Sequence, residues 1–412
     1  MHRSRYLPVL ILVVIAFLLD IYAFQGVKSL ALFFEEQTRF IIYSLFWIIS
    51  AAVLFVFILS FYKAIPAGKL TSLFNTSFNV FLTFFVTKLV FVMVLFAGDI
   101  YRLFASIIID YPPRSQNLSQ LALLLAAFPF FWFIFGVTRG KYHYKVRRTV
   151  LHFDDLPESF DGFTITQISD IHSGSLDSRK GVQRGIDIIN AQQSDLFVFT
   201  GDLVNNEATE IEPWVPFFSK IKARSGKFSI LGNHDYGDYV PWSSAEDKIR
   251  NMDRLKLNHQ KLGFRLLLDE HVLIEKDNES ITLLGIENWG IGFGQRGNLN
   301  KALNGVNSKS IKILLSHDPS HWDAEVKNHP ESIHLSLSGH THGMQFGIEF
   351  LGFKWSPVKY RYRNWAGLAK ENGKYLYVNR GFGFLGFTGR VGIWPEITVI
   401  ELRKSYPLIN GN

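Results

Sequence analysis

The chain is 412 residues long, 48% hydrophobic with 38 Phe, and only 19% charged, which is longer than one ordinary domain and poorer in charge than the usual soluble one. Its net charge of +7 comes from the first 150 residues, with 14 Lys and Arg against 5 Asp and Glu, leaving 29 against 31 beyond; a basic footprint is therefore missing from the remainder, which argues against a nucleic-acid partner. There is no Cys, so disulfide frameworks and thiolate metal sites are excluded.

Crossing about 30 Å of hydrocarbon takes roughly 20 apolar residues in a helix. Four stretches approach or meet that length: 7–24, 40–62, 78–98 and 121–137. Arg3 and Arg5 ahead of the first resemble a signal-peptide start, but no small-x-small cleavage site follows, and three further spans favour an anchor. Lys and Arg in short loops set orientation. Arg3, Arg5, Lys63, Lys69, Arg139, Lys141, Lys145, Arg147 and Arg148 fall on one side, and Lys28, Arg39, Arg102 and Arg114 on the other. That imbalance predicts cytoplasmic termini and a multi-pass protein of the cell membrane. The run 139–148 reads first as a topology signal and second as a contact for anionic lipid. Asp20 and Lys88 lie within spans. Inter-helix pairing or snorkelling is expected of them rather than an ion path, and no internal repeat of the transporter kind is present.

From about Val150 short apolar runs alternate with Gly, Asp, Asn and helical stretches, the texture of an α/β domain. Strands are predicted at 163–168, 196–200, 228–231, 281–286, 311–316, 333–338, 375–378 and 397–402. Open α/β sheets place their sites beyond the carboxyl ends of strands. Those ends read Asp170-Ile171-His172, Gly201-Asp202, Gly232-Asn233-His234-Asp235, Ser316-His317 and Gly339-His340-Thr341-His342. In an extended segment the Asp-x-His and His-x-His spacings put two side chains on one side, and Gly permits tight turns off a strand. Mixed imidazole and oxygen donors suit Mn, Fe, Zn, Co or Ni and argue against an all-oxygen Ca or Mg cage. By contrast, His321, His329 and His334 read as ordinary histidines satisfied by their surroundings.

This ordered set resembles the calcineurin-like metallophosphoesterases, whose pattern is D-x-H, G-D, G-N-H-D/E, a lone H, then G-H-x-H. The resemblance covers roughly 150–405 and implies a two-sheet α/β sandwich flanked by helices, here preceded by an all-α four-helix transmembrane module. It implies the domains 1–138 (transmembrane module), 139–149 (basic juxtamembrane linker), 150–405 (metallophosphoesterase domain) and 406–412 (tail). Carried onto this sequence, it implies that Asp170, His172, Asp202 and His342 hold one metal while Asp202, Asn233, His317 and His340 hold the other. Two divalent transition-metal ions are implied, Mn foremost, with a bridging hydroxide as nucleophile and His234 as the catalytic histidine. The tail from Gly339, with Tyr377-Val378-Asn379-Arg380-Gly381 and Pro395-Glu396-Ile397, is similar to the YkuE-like membrane-associated branch, which includes hydrolases of UDP-diacylglucosamine. A second Gly is usual in that branch where Met344 stands. Phosphoprotein phosphatases carry G-D-x-x-D-R-G, whereas this chain reads Gly201-Asp202-Leu203-Val204-Asn205-Asn206, which argues against a Ser/Thr phosphatase.

The expectation is thus a metal-dependent phosphoester hydrolase acting on a lipid-related phosphodiester or pyrophosphate such as UDP-diacylglucosamine. The alternatives are a membrane-anchored nucleotide phosphodiesterase or phosphatase, and a non-catalytic metal-binding scaffold. Arg380 is a candidate to hold a phosphate oxygen, with a structural salt bridge as its plainer reading. The segment 381–387, with Phe382, Phe384 and Phe387 between glycines, reads plainly as a packed loop and more sharply as a bilayer-facing one. Trp355, Tyr360, Tyr362 and Trp365 would then be interfacial rings.

Overall fold

The structure, a computed structural model, describes residues 3–67, 71–110 and 112–406. Lys69 of the charge comparison and residues 407–412 of the expected tail lie outside them. The chain divides into two compact units, Met1–Thr138 with Gly386–Gly389, and Arg139–Leu385 with Arg390–Asn412.

The first unit holds four helices, α1 (Arg3–Ala31), α2 (Glu36–Ala67), α3 (Ser72–Ala105) and α4 (Gln116–Thr138), each long and apolar enough to cross a membrane. In no span is more than 22% of the apolar window buried in protein, as expected where the surroundings are themselves apolar. All four overrun the apolar runs that predicted them, because a helix continues its own hydrogen-bond ladder into the headgroup layer. Lys88 donates to Asp20 and, at 2.9 Å, to Ser50 Oγ, so these intramembrane charges form the expected inter-helix pair.

In the second unit the strands are β1 (Lys145–Phe153), β2 (Thr164–Ile168), β3 (Leu196–Thr200), β4 (Lys227–Ile230), β5 (Arg265–Leu266), β6 (Glu270–Lys276), β7 (Glu279–Gly285), β8 (Lys312–Leu315), β9 (Leu335–Ser338), β10 (Ile348–Phe350), β11 (Phe353–Trp355), β12 (Gly367–Glu371), β13 (Lys374–Val378) and β14 (Glu396–Lys404). They form one sheet in the order β1-β14-β2-β3-β4-β5, a second in the order β12-β13-β9-β8-β7-β6, and a separate hairpin β10-β11. Leu151, Phe160, Ile165, Val198 and Ile230 from the first sheet side meet Ile281, Ile313, Leu337 and Tyr377 from the second in one buried cluster. Two apolar faces pressed together in this way are the sandwich core.

Helices α5 (Arg179–Ala191), α6 (Val215–Phe218) and α7 (Ala245–Lys261) cover the outer face of the first sheet through Val182, Ile186, Phe218 and Leu255. Helices α8 (Leu299–Leu303) and α9 (Ser320–Ala324) cover the second through Leu299 and Trp322. The expected two-sheet α/β sandwich with helices outside is what the chain adopts. Covered on both faces, β3 is buried at every position of Leu-Phe-Val-Phe-Thr, the continuous apolar run that parallel strands require.

Residues 139–149, expected to be a basic linker, hold a tight turn at Gly140–Tyr142 and then enter β1, which pairs in parallel with β14 from Lys145↔Glu396 onward. An edge strand can carry Lys145, Arg147 and Arg148 because only its last residues, Leu151 and Phe153, are buried. Of the glycine-spaced aromatics, Phe382 and Phe384 take the plainer course, whereas Phe387 belongs to the first unit. Phe382 and Phe384 are fully buried, and Phe387 retains 8% exposure. Main-chain bonds from Phe382 to the Ser169 carbonyl (2.7 Å) and from Gly383 to the Asp170 carbonyl (2.9 Å) draw this loop inward. Tyr362 and Trp365 are buried too, leaving Tyr360 as the one fully exposed ring of the expected four.

Candidate metal centre

Strands β2, β3 and β4 run parallel in one sheet, and β7, β8, β9 and β13 run parallel in the other. Their carboxyl ends therefore deliver five loops to one place. Asp170, His172 and His342 form one group whose ligand atoms lie within 4.8 Å of one another, and Asp202, His317 and His340 form a second. Between them stands Asp202, whose Oδ2 is 3.5 Å from His172 Nε2 and 3.2 Å from His317 Nε2. Asn233 joins the second group with Oδ1 2.8 Å from His340 Nδ1. Every candidate ligand read from the sequence is thus brought together.

The local backbone explains how such short loops aim so many side chains inward. Asp170, His172, Asp202, His340 and His342 all have φ between 46° and 69°, the left-handed region that only Asn, Asp and His visit with any ease among non-glycine residues. Gly201, at φ 92°, passes so close to Gly232 that a Cβ would lie 2.6 Å from that residue's nitrogen. Asp235 anchors the same crossing. Its carboxylate accepts from the amides of Asp202 (2.9 Å), Leu203 (2.8 Å), Val204 (3.2 Å) and Gly232 (2.9 Å).

Outer partners set the imidazole tautomers. His317 Nδ1 lies 2.7 Å from the Thr200 carbonyl; a carbonyl only accepts, so Nδ1 carries a proton and Nε2 is the nitrogen turned toward Asp202. That buried Nε2 has no hydrogen-bond partner. Tyr362 donates to Asp318 Oδ2 at 3.2 Å and lies 2.9 Å from His340 Nε2. With the phenol proton given to Asp318, His340 donates from Nε2 and leaves Nδ1 as a lone pair facing Asn233 Oδ1. His172 Nε2 and His342 Nε2 likewise meet head-on at 3.0 Å. Facing lone pairs repel unless a cation or proton lies between them, so this donor set fits divalent metals of the imidazole-loving kind.

Charge agrees with this reading. Burial outweighs nearby carboxylates at His172 and His340, pushing the first well below the ordinary imidazole range and the second down to about 4. Both are neutral donors. At His317 burial acts downward, but the Asp202 charge outweighs it and holds the ring at about 10, so the place between Nε2 and Asp202 favours a positive charge. At Asp202 burial is outweighed by His317, His234 and His172, which keep the carboxylate well below its usual range.

His234 stands apart from the ligand groups. Its amide donates to Asp202 Oδ1 at 2.9 Å, and its Nδ1 lies 2.9 Å from the Asn205 carbonyl, so its Nε2 is the nitrogen free to exchange a proton. Arg380 is withdrawn from any phosphate role, being 2% exposed and paired with Glu396 at 2.5 Å and Glu349 at 2.8 Å. Its plainer reading holds. His321 bonds Ser316 at 2.9 Å, and His334 bonds the Lys312 amide at 3.0 Å and Asp155 at 2.9 Å, as ordinary histidines do. Sequence reasoning gave Tyr362 an interfacial role instead of its place beside His340 and Asp318, and missed Asp318 and the buried Arg390, which bonds the Arg380 carbonyl at 2.6 Å and the Gly383 carbonyl at 2.5 Å. Only Asp318, directly after a strand-end His, carried a signal that could have found it.

A family model described as probable calcineurin-like phosphoesterase, transmembrane domain, matches residues 4–141, and one described as calcineurin-like phosphoesterase matches 163–344. The chain is similar to the Danio rerio transmembrane protein with metallophosphoesterase domain, at 28% identity over 66% of this chain and 60% of that protein. It is 30% identical to the uncharacterized metallophosphoesterase YkuE of Bacillus subtilis over 61% of this chain and 82% of that one. An uncharacterized metallophosphoesterase of Helicobacter pylori matches at 27% identity over 71% and 74%. The match thus spans less than two thirds of the zebrafish protein.

Proposed function

Because the chain belongs to the calcineurin-like metallophosphoesterase family, we propose that it is a membrane-anchored hydrolase of a lipid-related phosphodiester or pyrophosphate, of which UDP-diacylglucosamine is an example. Residues 1–138 would be its membrane module and 150–405 its catalytic domain, facing the cytoplasm. Asp170, His172, Asp202 and His342 would hold one divalent ion, and Asp202, Asn233, His317 and His340 the other. Two such ions supply a nucleophilic water at neutral pH and neutralise phosphoryl charge.

The chain's own residues do the rest. Asp202, reached from both groups, would offset the repulsion between the two cations these groups hold. His234, its Nδ1 proton engaged by Asn205, offers Nε2 to protonate the leaving oxygen or to bond a phosphoryl oxygen as charge builds. Asp235, through its amide bonds, keeps the Asp202 and Asn233 loops in register. The observation that carries the reading is the meeting of two ligand groups on one shared carboxylate, with a histidine beside it that neither group uses. Four helices of membrane-crossing length support a lipid-related substrate over a soluble nucleotide.

The test is purified full-length protein in detergent with Mn, assayed side by side on aryl phosphomonoesters, aryl phosphodiesters, nucleotides and nucleotide-linked lipids. Preference for the last supports the proposal, and preference for soluble nucleotides transfers it to a membrane-anchored nucleotide hydrolase. In the same preparation Asp202→Ala should lose both ions and nearly all activity. Full metal occupancy in that variant would sink the shared-carboxylate assignment.

A further inference from the structure

In water a two-stranded hairpin turns its apolar face to the protein and its charged face outward. The hairpin β10–β11 does the reverse. In its antiparallel register Ile348 pairs with Trp355 and Phe350 with Phe353, while Glu349 pairs with Lys354. The charged side is turned to the domain. Glu349 binds Arg147 at 2.6 Å and Arg380 at 2.8 Å, and Lys354 donates to the Ala366 carbonyl at 2.5 Å. Outward stand Ile348, Phe350 and Phe353, with Leu351 at the turn 89% exposed.

This inversion is concentrated in one place. Of the 15 large hydrophobics exposed among the described residues of the second unit, six fall between 344 and 360: Met344, Ile348, Phe350, Leu351, Phe353 and Tyr360. Exposed cations Lys359, Arg361 and Arg363 follow directly, a fringe that suits anionic headgroups. Met344 and Tyr360 also line a cavity of about 370 Å³ together with Phe293, Pro357 and the candidate ligand His340. Two residues of the apolar group, Met344 and Tyr360, thus share a cavity with a candidate ligand.

We propose that the β10–β11 hairpin is a bilayer-inserted wedge, and that the cavity lined by Met344, Tyr360 and His340 admits the apolar part of a membrane-resident phosphoester to the site. The second clause rests on the function proposed above; the first stands alone. A lipid surface is the occupant because the same chain carries four helices of membrane-crossing length, and because the patch pairs aromatic and aliphatic tips with a cationic edge, the composition of interfacial anchors.

The experiment uses the full chain in nanodiscs of phosphatidylethanolamine and phosphatidylglycerol. The protein has no Cys, so Leu351→Cys carries a single environment-sensitive dye, and Leu273→Cys, exposed at 56% on β6, is the control. A blue-shifted probe at 351 quenched by doxyl lipids, with the 273 probe unquenched, is the expected result. Equal behaviour at the two positions overturns the wedge. So does a blue shift in detergent that grows with protein concentration and needs no bilayer, since that assigns the patch to a second copy of the chain. The variant combining Phe350→Ser, Leu351→Ser and Phe353→Ser should then lose about tenfold or more on a nucleotide-linked lipid in nanodiscs and keep its rate on a soluble aryl phosphodiester. Equal losses on both overturn the substrate passage. A parent protein that hydrolyses no phosphoester refutes the proposed function, while the probe result still decides the wedge.

Discussion

Five candidate ligands sit in left-handed backbone, each a conformation that costs of the order of 1–3 kcal/mol and persists only where surrounding structure enforces it. Here Asp235 supplies part of that enforcement through its amide bonds, so the strain marks where the fold spends stability on aim. His234 is not strained in this way and belongs to neither ligand group. Accordingly, His234→Ala should keep its metal content by elemental analysis and lose roughly 10²- to 10⁴-fold in rate on a substrate with a poor leaving group. Unchanged turnover would remove it from the mechanism. Met344 tests the strain itself. Met344 has φ 55° and is 57% exposed. Relief of about 1–2 kcal/mol of left-handed strain, less roughly 0.5–1 kcal/mol for the extra unfolded freedom of glycine, leaves about 1 kcal/mol of net stabilisation for Met344→Gly. A raised thermal midpoint in detergent checks this, and a lowered one contradicts it.

At the scale of elements, the first sheet is held against α7 by a buried polar contact that acid should weaken. Ser244 caps that helix by accepting from the Asp247 amide, and His259 in its last turn lies 2.9 Å from Ser229 Oγ on β4. Burial alone lowers the His259 pKa from 6.5 to about 3, and its Nε2 has no hydrogen-bond partner. A depressed imidazole costs nothing above pH 6.5, where folded and unfolded forms are both neutral. Below 6.5 the unfolded chain takes up a proton that the folded one refuses, so stability falls with pH until about 3. The slope is about 1.4 kcal/mol per pH unit, or about 2 kcal/mol between pH 6.5 and 5. His259→Phe should flatten the urea-unfolding stability over that window by this amount, whatever its effect at neutral pH. Parallel profiles for parent and variant would show that His259 is not the group responsible.

For the whole molecule the open question of sidedness reduces to charge across the helices. The bias of nine Lys and Arg against four motivates a cytoplasmic catalytic unit. A reporter active only outside the cytoplasm should stay silent when joined after Arg148 and become active when joined after Phe34, in the loop between α1 and α2. The opposite pattern reverses the topology and with it the leaflet from which a lipid substrate could be drawn.

Much of this protein is legible without coordinates, and the reason is periodicity and spacing. The four spans declare themselves by length and apolarity, and the parallel strands β2, β3 and β4 by short apolar runs ending in Gly, Asp or His. The candidate ligands follow because each stands within a few residues of such an end. What the sequence could not decide depends on partners far away in the chain. Residues 139–149 read as a basic linker until β14, some 250 residues later, pairs with the strand that begins at Lys145. Phe382 and Phe384 allow both a packed and a bilayer-facing loop until Ser169 and Asp170 pull their backbone under the site. Asp318 and Tyr362 become supports of His340 only when α9's approach and the loop after β11 meet. The hairpin β10–β11 is the sharpest case, since its alternation of charged and apolar residues says that one face is buried but not which. Arg147 and Arg380, waiting on the domain side for Glu349, turn the charges inward and leave the apolar face to whatever lies outside.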